Sequence, residues 1–259
     1  MKPLSLVSFA MNKKILYGGD TSLSTAASYL AGVLTYRGLD FDYLASDQPI
    51  RPALSGSKYG LYIISDYPVN NWREEDFDLV IGSVKAGAGL LMIGGWESFH
   101  GLAGEYHASP LAEALPVEMS SQDDRVNSSQ PWIIEQCTSH FIVEGLPFQR
   151  NPSYVGGFNR IKKKENATEV LRLRRLVISA TPDTSIEFAT GESDALLVVG
   201  SYGAGRTAAF ASDVAPHWVG GFVDWGNQRI STQAEGAEEV EVGSDYAGFF
   251  SRLVEWTLG

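Results

Sequence analysis

Short, uninterrupted apolar runs alternate with segments of helical apolar spacing along the N-terminal part of the chain. Lys13 to Tyr17 reads as a first strand, and Gly18-Gly19-Asp20-Thr21-Ser22 supplies a turn and a helix N-cap. Leu23, Ala26, Ala27, Leu30, Val33 and Leu34 then recur at helical spacing up to Gly38, a suitable C′ residue. Phe41 to Leu44 predicts a second strand, and Gly60 to Ser65 a third that ends at Asp66. Asn71 to Ala86 predicts a helix with Phe77, Val80, Ile81 and Val84 on one face. Gly87 and Gly89 close that helix and open the strand Leu90 to Ile93. A tight Gly94-Gly95 turn follows and delivers Trp96, Glu97, Ser98, Phe99 and His100 to one place. Continuous apolar strands bounded by glycine are those covered on both faces, as in parallel α/β sheets. Ligands bind there outside the carboxyl ends of the strands, which makes the residues after Ile93 the first candidates for a site.

The second half is richer in strands. Ser109 is expected to cap a short helix through Leu115, and Pro116 to Met119 to enter another strand. Ser120 to Gln130 reads as an exposed loop, His140 to Pro147 as a compact turn, and Pro152 to Gly157 as an irregular segment lining a cleft. Lys162, Lys163 and Lys164 with Arg172, Arg174 and Arg175 form a basic island that reads as a solvated face. From Glu169 the pattern is β, and Tyr202-Gly203-Ala204-Gly205-Arg206 between two apolar runs is a hairpin, so its GxG is a turn and not a nucleotide loop. The second run ends at Ser212-Asp213 and leads into Val214 to Trp218. Gly220 to Gly243 reads as a loop around Trp225, and Asp245 to Leu258 as the closing helix.

The 259 residues, 44% hydrophobic, suffice for a large α/β core. Twenty Lys plus Arg against 31 Asp plus Glu leave a formal charge of −11, which argues against a nucleic-acid partner. The single cysteine, Cys137, excludes an intrachain disulfide framework and suits a reducing compartment. The start, MKPLSLVSFAMNKK, has a short apolar run without a clear cleavage site, and no run is long enough for a membrane helix. A cytoplasmic protein without a membrane partner is expected, with residues 1–10 as an extension ahead of a domain over 11–259.

AGAGLLMIGGWESFHG, EYHASPLAEALPVEM, SHFIVEGLP and LLVVGSYGAGRTAAFASDVAPHW together resemble the glutamine amidotransferase-like family. That family belongs to the class I glutamine amidotransferase-like superfamily, which also holds trehalose-utilisation-type proteins. The resemblance covers most of the chain from Met11. It implies a flavodoxin-like, three-layer α/β/α sandwich with a mostly parallel sheet, an added β-hairpin near the C-terminus, and a functional elbow after Ile93. The family's enzymes carry a cysteine nucleophile at that elbow in a G-x-C-x-G setting, with a His-x-Glu pair further on. Here Gly94 or Gly95 stands at the nucleophile position, and His217 is followed by Trp218 and Val219. Glutamine hydrolysis through a thiolate is therefore not expected. Cys137 lies in another segment and reads as a small buried or loop residue.

What remains is a strand-end cluster comprising Asp66, Gly94, Gly95, Trp96, Glu97, Ser98, His100, His107, Asp213, His217 and Trp218. One reading is a hydrolase in which His217, Asp213 and His100 are the catalytic groups, activating Ser98 or a water. Ser98 lies outside any GxSxG elbow. A His-carboxylate metal site is the other form of this reading, without HxxxH or HxH spacing to support it, so no metal ligand is assigned and no cofactor is expected. A second reading is a small-molecule binding module. Trp96 and Trp218 would offer flat faces to a sugar ring, and Asp66, Glu97 and Asp213 would accept hydroxyl hydrogen bonds. A third is a homo-oligomer that buries Trp218 and Trp225 against a partner. An enzyme predicts His and Asp within hydrogen-bond reach in a deep pocket, a binding module predicts the tryptophans lining it without such a pair, and a purely structural role predicts Trp218 and Trp225 covered by a neighbouring chain.

Overall fold

Four apolar strands, β1 (Ile15–Gly19), β2 (Phe41–Leu44), β3 (Leu61–Ser65) and β4 (Gly89–Ile93), are joined by α1 (Ala27–Tyr36), α2 (Arg51–Leu54) and α3 (Glu74–Lys85) in a computed structural model. It describes residues 14–56 and 58–259, so Lys13 and the expected extension 1–10 lie outside the described residues. The chain continues through α4 (Leu111–Ala114), β5 (Val117–Glu118), β6 (Arg125–Gln136), β7 (Tyr154–Asn159) and β8 (Lys162–Lys163). It closes with β9 (Thr168–Ala180), β10 (Ile186–Tyr202), β11 (Gly205–Phe210), α5 (Pro216–Val219), β12 (Arg229–Thr232), β13 (Val240–Gly243) and α6 (Ser244–Leu258).

One nine-stranded sheet runs β2-β1-β3-β4-β11-β10-β9-β6-β7. The five strands from β2 to β11 are mutually parallel, and the strands from β10 onward extend the sheet antiparallel. This is the flavodoxin-like arrangement with hairpin strands added. Every residue of β1, β3 and β4 is buried, which is why those runs carry no polar alternation. Helix α6 packs on α1 and on β4 and β11, while α3 packs on α4 and α2, giving the outer layers.

The register explains how distant residues converge. Gly19 pairs with Ser65, Ser65 with Ile93, and Ile93 with Phe210, so these strands end on one row. The residues immediately beyond that row are Asp20, Asp66, Gly94 and the segment reaching Asp213.

Several boundaries differ from the pattern. Ser120 to Gln130 is not wholly a loop, because β6 begins at Arg125 and borrows its order from β7. Pro152 to Gly157 likewise enters β7. A Cβ on Gly157 would sit 2.4 Å from Cδ1 of Trp218, so glycine there is a packing requirement, not a sign of irregularity. The stretch Gly220 to Gly243 contains the small sheet β12–β13. Ser22 caps nothing, since α1 starts at Ala27 after a turn in which Ser22 and Thr25 bond each other. Ser109 donates to the Tyr106 carbonyl instead of capping α4. Helix α3 starts at Glu74 behind a short 3-10 turn, with Asp76 accepting from the Arg73 N–H. The basic island is only partly solvated: Lys162 is exposed, and Lys164 donates to the carbonyls of Ala112, Glu113 and Leu115 at the end of α4. Lys162, Arg172, Arg174 and Arg175 pair with Glu118, Glu169, Glu135 and Glu192.

Candidate functional site

The turn after β4 is locked by its own backbone. The Gly94 N–H donates to the carbonyls of Phe210 (2.8 Å) and Ser212 (3.0 Å). The Gly95 N–H donates to Oδ1 of Asn159 at 2.9 Å, and Nδ2 of Asn159 returns a bond to the Gly95 carbonyl at 3.1 Å. The next two N–H groups, of Trp96 and Glu97, both point at the Asp66 carboxylate. In a nucleophile elbow such amides stabilise an oxyanion. Here four consecutive donors are already occupied. Ser98 is fully buried and its Oγ accepts the Asp66 N–H at 2.8 Å, which removes it as a nucleophile.

A second clamp holds the rest of the loop. Asp124, buried at the entry to β6, accepts the N–H groups of His100 (3.1 Å) and Gly101 (2.9 Å) and the Nδ2 group of Asn159 (2.8 Å). Asn159 and Asp124 were not legible as site residues, because each lies in a segment whose pattern gave no element.

Three aspartates occupy equivalent places after parallel strands. Asp20 follows β1, is buried, and accepts the hydroxyls of Tyr17 and Ser65. Asp66 follows β3. Asp213 follows β11, accepts the N–H groups of Val214 and Ala215, and places Oδ2 3.1 Å from Nε2 of His217 in the first turn of α5. Burial, then the Asp66 charge, pushes the Asp213 carboxyl up to about 7. Burial likewise raises Asp20, reinforced by Asp213, and raises Asp66 against the opposing Glu97 N–H. Burial also lowers the His217 imidazole, with Asp66 opposing. The two shifts point the same way: burial disfavours the charged form of both groups, so their 3.1 Å contact is between partners that burial drives toward neutrality. A strand-end Asp was the signal that pointed to Asp66 and Asp213, and it could have found Asp20.

Backbone strain marks the same edge. Asp20, Thr21, Asp66, Phe99 and Glu105 all have positive φ, between 47° and 64°, and the remaining described non-glycine residue of this kind, Thr184, lies in the β9–β10 turn. Non-glycine residues held in that region cost energy and persist where the surroundings enforce them.

The other predicted residues separate. His100 is not brought to the Asp213–His217 pair: its Nδ1 lies 3.0 Å from the Gly101 carbonyl, and its ring stacks on His107 at 4.9 Å. Gly94 and Gly95 are buried and serve the turn. Trp96 is 45% exposed with the Arg125 guanidinium 4.5 Å over its ring, and Glu97 is half-buried beside it. Trp218 is only 2% exposed, donates to Oδ1 of Asn127 and lies against Gly157, so it offers no free face. Trp225 is also buried, donating to the Asn151 carbonyl. The chain itself covers both rings, which removes the argument that a partner must do so. Cys137 is exposed; partial desolvation of the sulfur, then the Glu169 carboxylate, pushes its thiol up to about 11. Among the described residues no three His, Cys, Asp or Glu side chains come together in a metal-holding group. No described helix is long and apolar enough to cross a membrane.

A parallel α/β sheet with a tight turn after its central strand and acidic residues on the flanking strand ends defines an amidotransferase-like domain. Residues 56–231 match the family described as "putative glutamine amidotransferase", and the chain belongs to that family. Two similar structures are cytoplasmic proteins from Salmonella typhimurium. STM3548 is 24% identical over 95% of this chain and 98% of its own, with a TM-score of 0.68. STM1381, from strain LT2, is 25% identical over 94% and 99%, with a TM-score of 0.67. A protein from Parabacteroides merdae described as "putative thua-like" shares the fold at 14% identity, covering 95% and 90%, with a TM-score of 0.55. No curated protein matches the chain.

Proposed function

We propose that this amidotransferase-like protein has no glutaminase activity and binds a small hydroxylated, carbohydrate-type ligand at the strand ends around Asp66, Glu97, Trp96 and His217. The observation that carries the reading is the occupied elbow: the backbone donors from Gly94 to Glu97 are consumed internally, and no nucleophile stands among them. The half-exposed Trp96 ring offers a surface for a sugar face, and Glu97 and Asp66 are acceptors for hydroxyl groups. The resemblance to trehalose-utilisation-type proteins is the reason to begin with sugars. The unpaired cysteine and the names of the two Salmonella relatives support a cytoplasmic location.

A second reading is favoured by the Asp213–His217 contact. With Nε2 3.1 Å from a buried carboxylate, the exposed imidazole has Nδ1 available to take a proton from a water or a substrate hydroxyl, as in acid–base hydrolases.

The test pairs two measurements on the purified protein. Ammonia release from L-glutamine is expected to stay at background in the native chain and in Cys137→Ala. Saturation-transfer NMR with trehalose and with glucose is expected to give signal that Trp96→Ala and Asp66→Asn remove. Glutaminase activity would overturn the first statement, and absence of sugar saturation would overturn the ligand class.

A further inference from the structure

A cavity of about 600 Å³ lies along residues 136–150, and no residue lining it belongs to the strand-end site. The segment is fastened to α6: the 3-10 turn at Phe141–Val143 packs on the helix, the His140 ring meets Trp256 edge-on at 5.1 Å, and Phe148 meets Phe249. Its lining includes Gln136, Ser139, His140, Phe141, Glu144 and Arg150.

The charges around it are unusual for this chain. With 31 acidic residues against 20 basic ones, carboxylates are in surplus, and most arginines have found one. Arg37, Arg51, Arg125, Arg160, Arg172, Arg174, Arg175 and Arg229 each pair with Asp or Glu. Arg73, Arg150, Arg206 and Arg252 have no carboxylate partner among the described residues, and all but Arg73, which sits at the start of α3, lie around this segment. Arg150 lines the cavity. Arg252 donates to the Glu144 carbonyl in its wall. Arg206 donates to the Trp256 carbonyl at 2.7 Å, and its charge reaches His140. Glu144 is the one carboxylate on the lining.

Neutral donors face the same space. Nδ1 of His140 accepts the Ile142 N–H at 3.3 Å, so the neutral ring carries its proton on Nε2, which has no partner among the described residues. Phe141 is 49% exposed at the mouth and offers an apolar face. Guanidinium groups recognise planar or tetrahedral oxyanions through paired N–H donors, and they are costly to gather without a counter-charge.

We propose that this cavity binds a small organic oxyanion, with Arg150 as its direct partner, Nε2–H of His140 as a second donor, and Phe141 against the ligand's apolar part. The anion supplies the counter-charge that Arg150 lacks, and the positive charge of Arg206 and Arg252 nearby favours the same sign of ligand. The site is independent of the carbohydrate-type reading above, since it shares no residue with it.

The experiment is an NMR pH titration of the histidine ring resonances of the full chain, with inorganic phosphate, with benzoate, and with neutral benzamide as control. Burial and Arg206 hold the His140 imidazole below its ordinary value, and a bound anion would raise it. Phosphate or benzoate is expected to raise the His140 titration midpoint while leaving His217 unchanged. Arg150→Gln is expected to weaken that binding about tenfold or more, with Arg150→Lys intermediate. A response to benzoate alone assigns a carboxylate ligand with a flat ring; a response to phosphate alone assigns a phosphate ester. No shift with either anion, an equal shift with benzamide, or full binding in Arg150→Gln overturns the proposal. Arg150 is exposed, so its substitution leaves the fold intact.

Discussion

Nε2 of His217 lies 3.1 Å from Oδ2 of Asp213, whose carboxylate also takes the N–H groups of Val214 and Ala215. A half-exposed imidazole is thus oriented from behind by a carboxyl that solvent does not reach. Replacement of His217 by Gln keeps a polar side chain beside Asp213 and removes the titrating ring. If the acid–base reading is right, it leaves sugar binding within about threefold and abolishes turnover of any substrate found.

The Asp213 carboxyl makes stability depend on pH. Its folded-state value, about 7, lies above that of an unfolded aspartate. The folded chain therefore binds the proton more tightly, and stability falls as pH rises from about 4 toward 7. Asp213→Asn removes this dependence. Urea unfolding at pH 4.5 and pH 7.5 should show the native chain losing ground to the variant across that window, by at most about 4 kcal/mol. The opposite slope would show that the carboxyl is not raised.

Asn159→Ala removes both bonds to Gly95 and the bond to Asp124. A cost of about 1–3 kcal/mol is expected from the stranded donors and acceptors. Amide exchange should quicken at Gly95, His100 and Gly101 while the β1 amides keep their protection.

Gly157→Ala pushes a methyl group into the Trp218 indole. Overpacking of this kind costs about 1–3 kcal/mol. Trp218→Phe combined with Gly157→Ala is expected to recover part of the loss, which a pair of melting curves would register.

Ser98→Ala discriminates a buried acceptor from a nucleophile. Loss of the bond to the Asp66 N–H is expected to cost about 1 kcal/mol of stability. Ligand binding and any turnover should persist, and abolished turnover would restore Ser98 as a reacting group.

The parallel half of the sheet was legible because burial on both faces writes an unbroken apolar run, as in Leu61–Ser65 and Gly89–Ile93. Asp66, Asp213 and His217 were legible for the same reason, since each follows the end of such a run. The antiparallel part was harder. Arg125–Gln136 is polar on its solvent side and takes its order from β7 and β9, partners far away in sequence. Asn159 and Asp124 were invisible because their role is to bond backbone groups of another segment, and that leaves no local pattern. Trp218 misled because an aromatic residue at a strand end looks the same in sequence whether a glycine seats it or a ligand does.

The two glycines after β4 also limit what this corner could be made to do. A side chain at Gly94 would begin 2.3 Å from the Ala211 carbonyl oxygen, and one at Gly95 would begin 2.5 Å from the Asp66 carboxylate. Neither position admits even a methyl group without moving a neighbouring strand end. Reintroducing a cysteine by a single substitution would therefore break the turn before it made an enzyme. With β11 and Asp66 packed against this corner, thiol chemistry at this turn would need its surroundings to be rebuilt before a sulfur could be placed there.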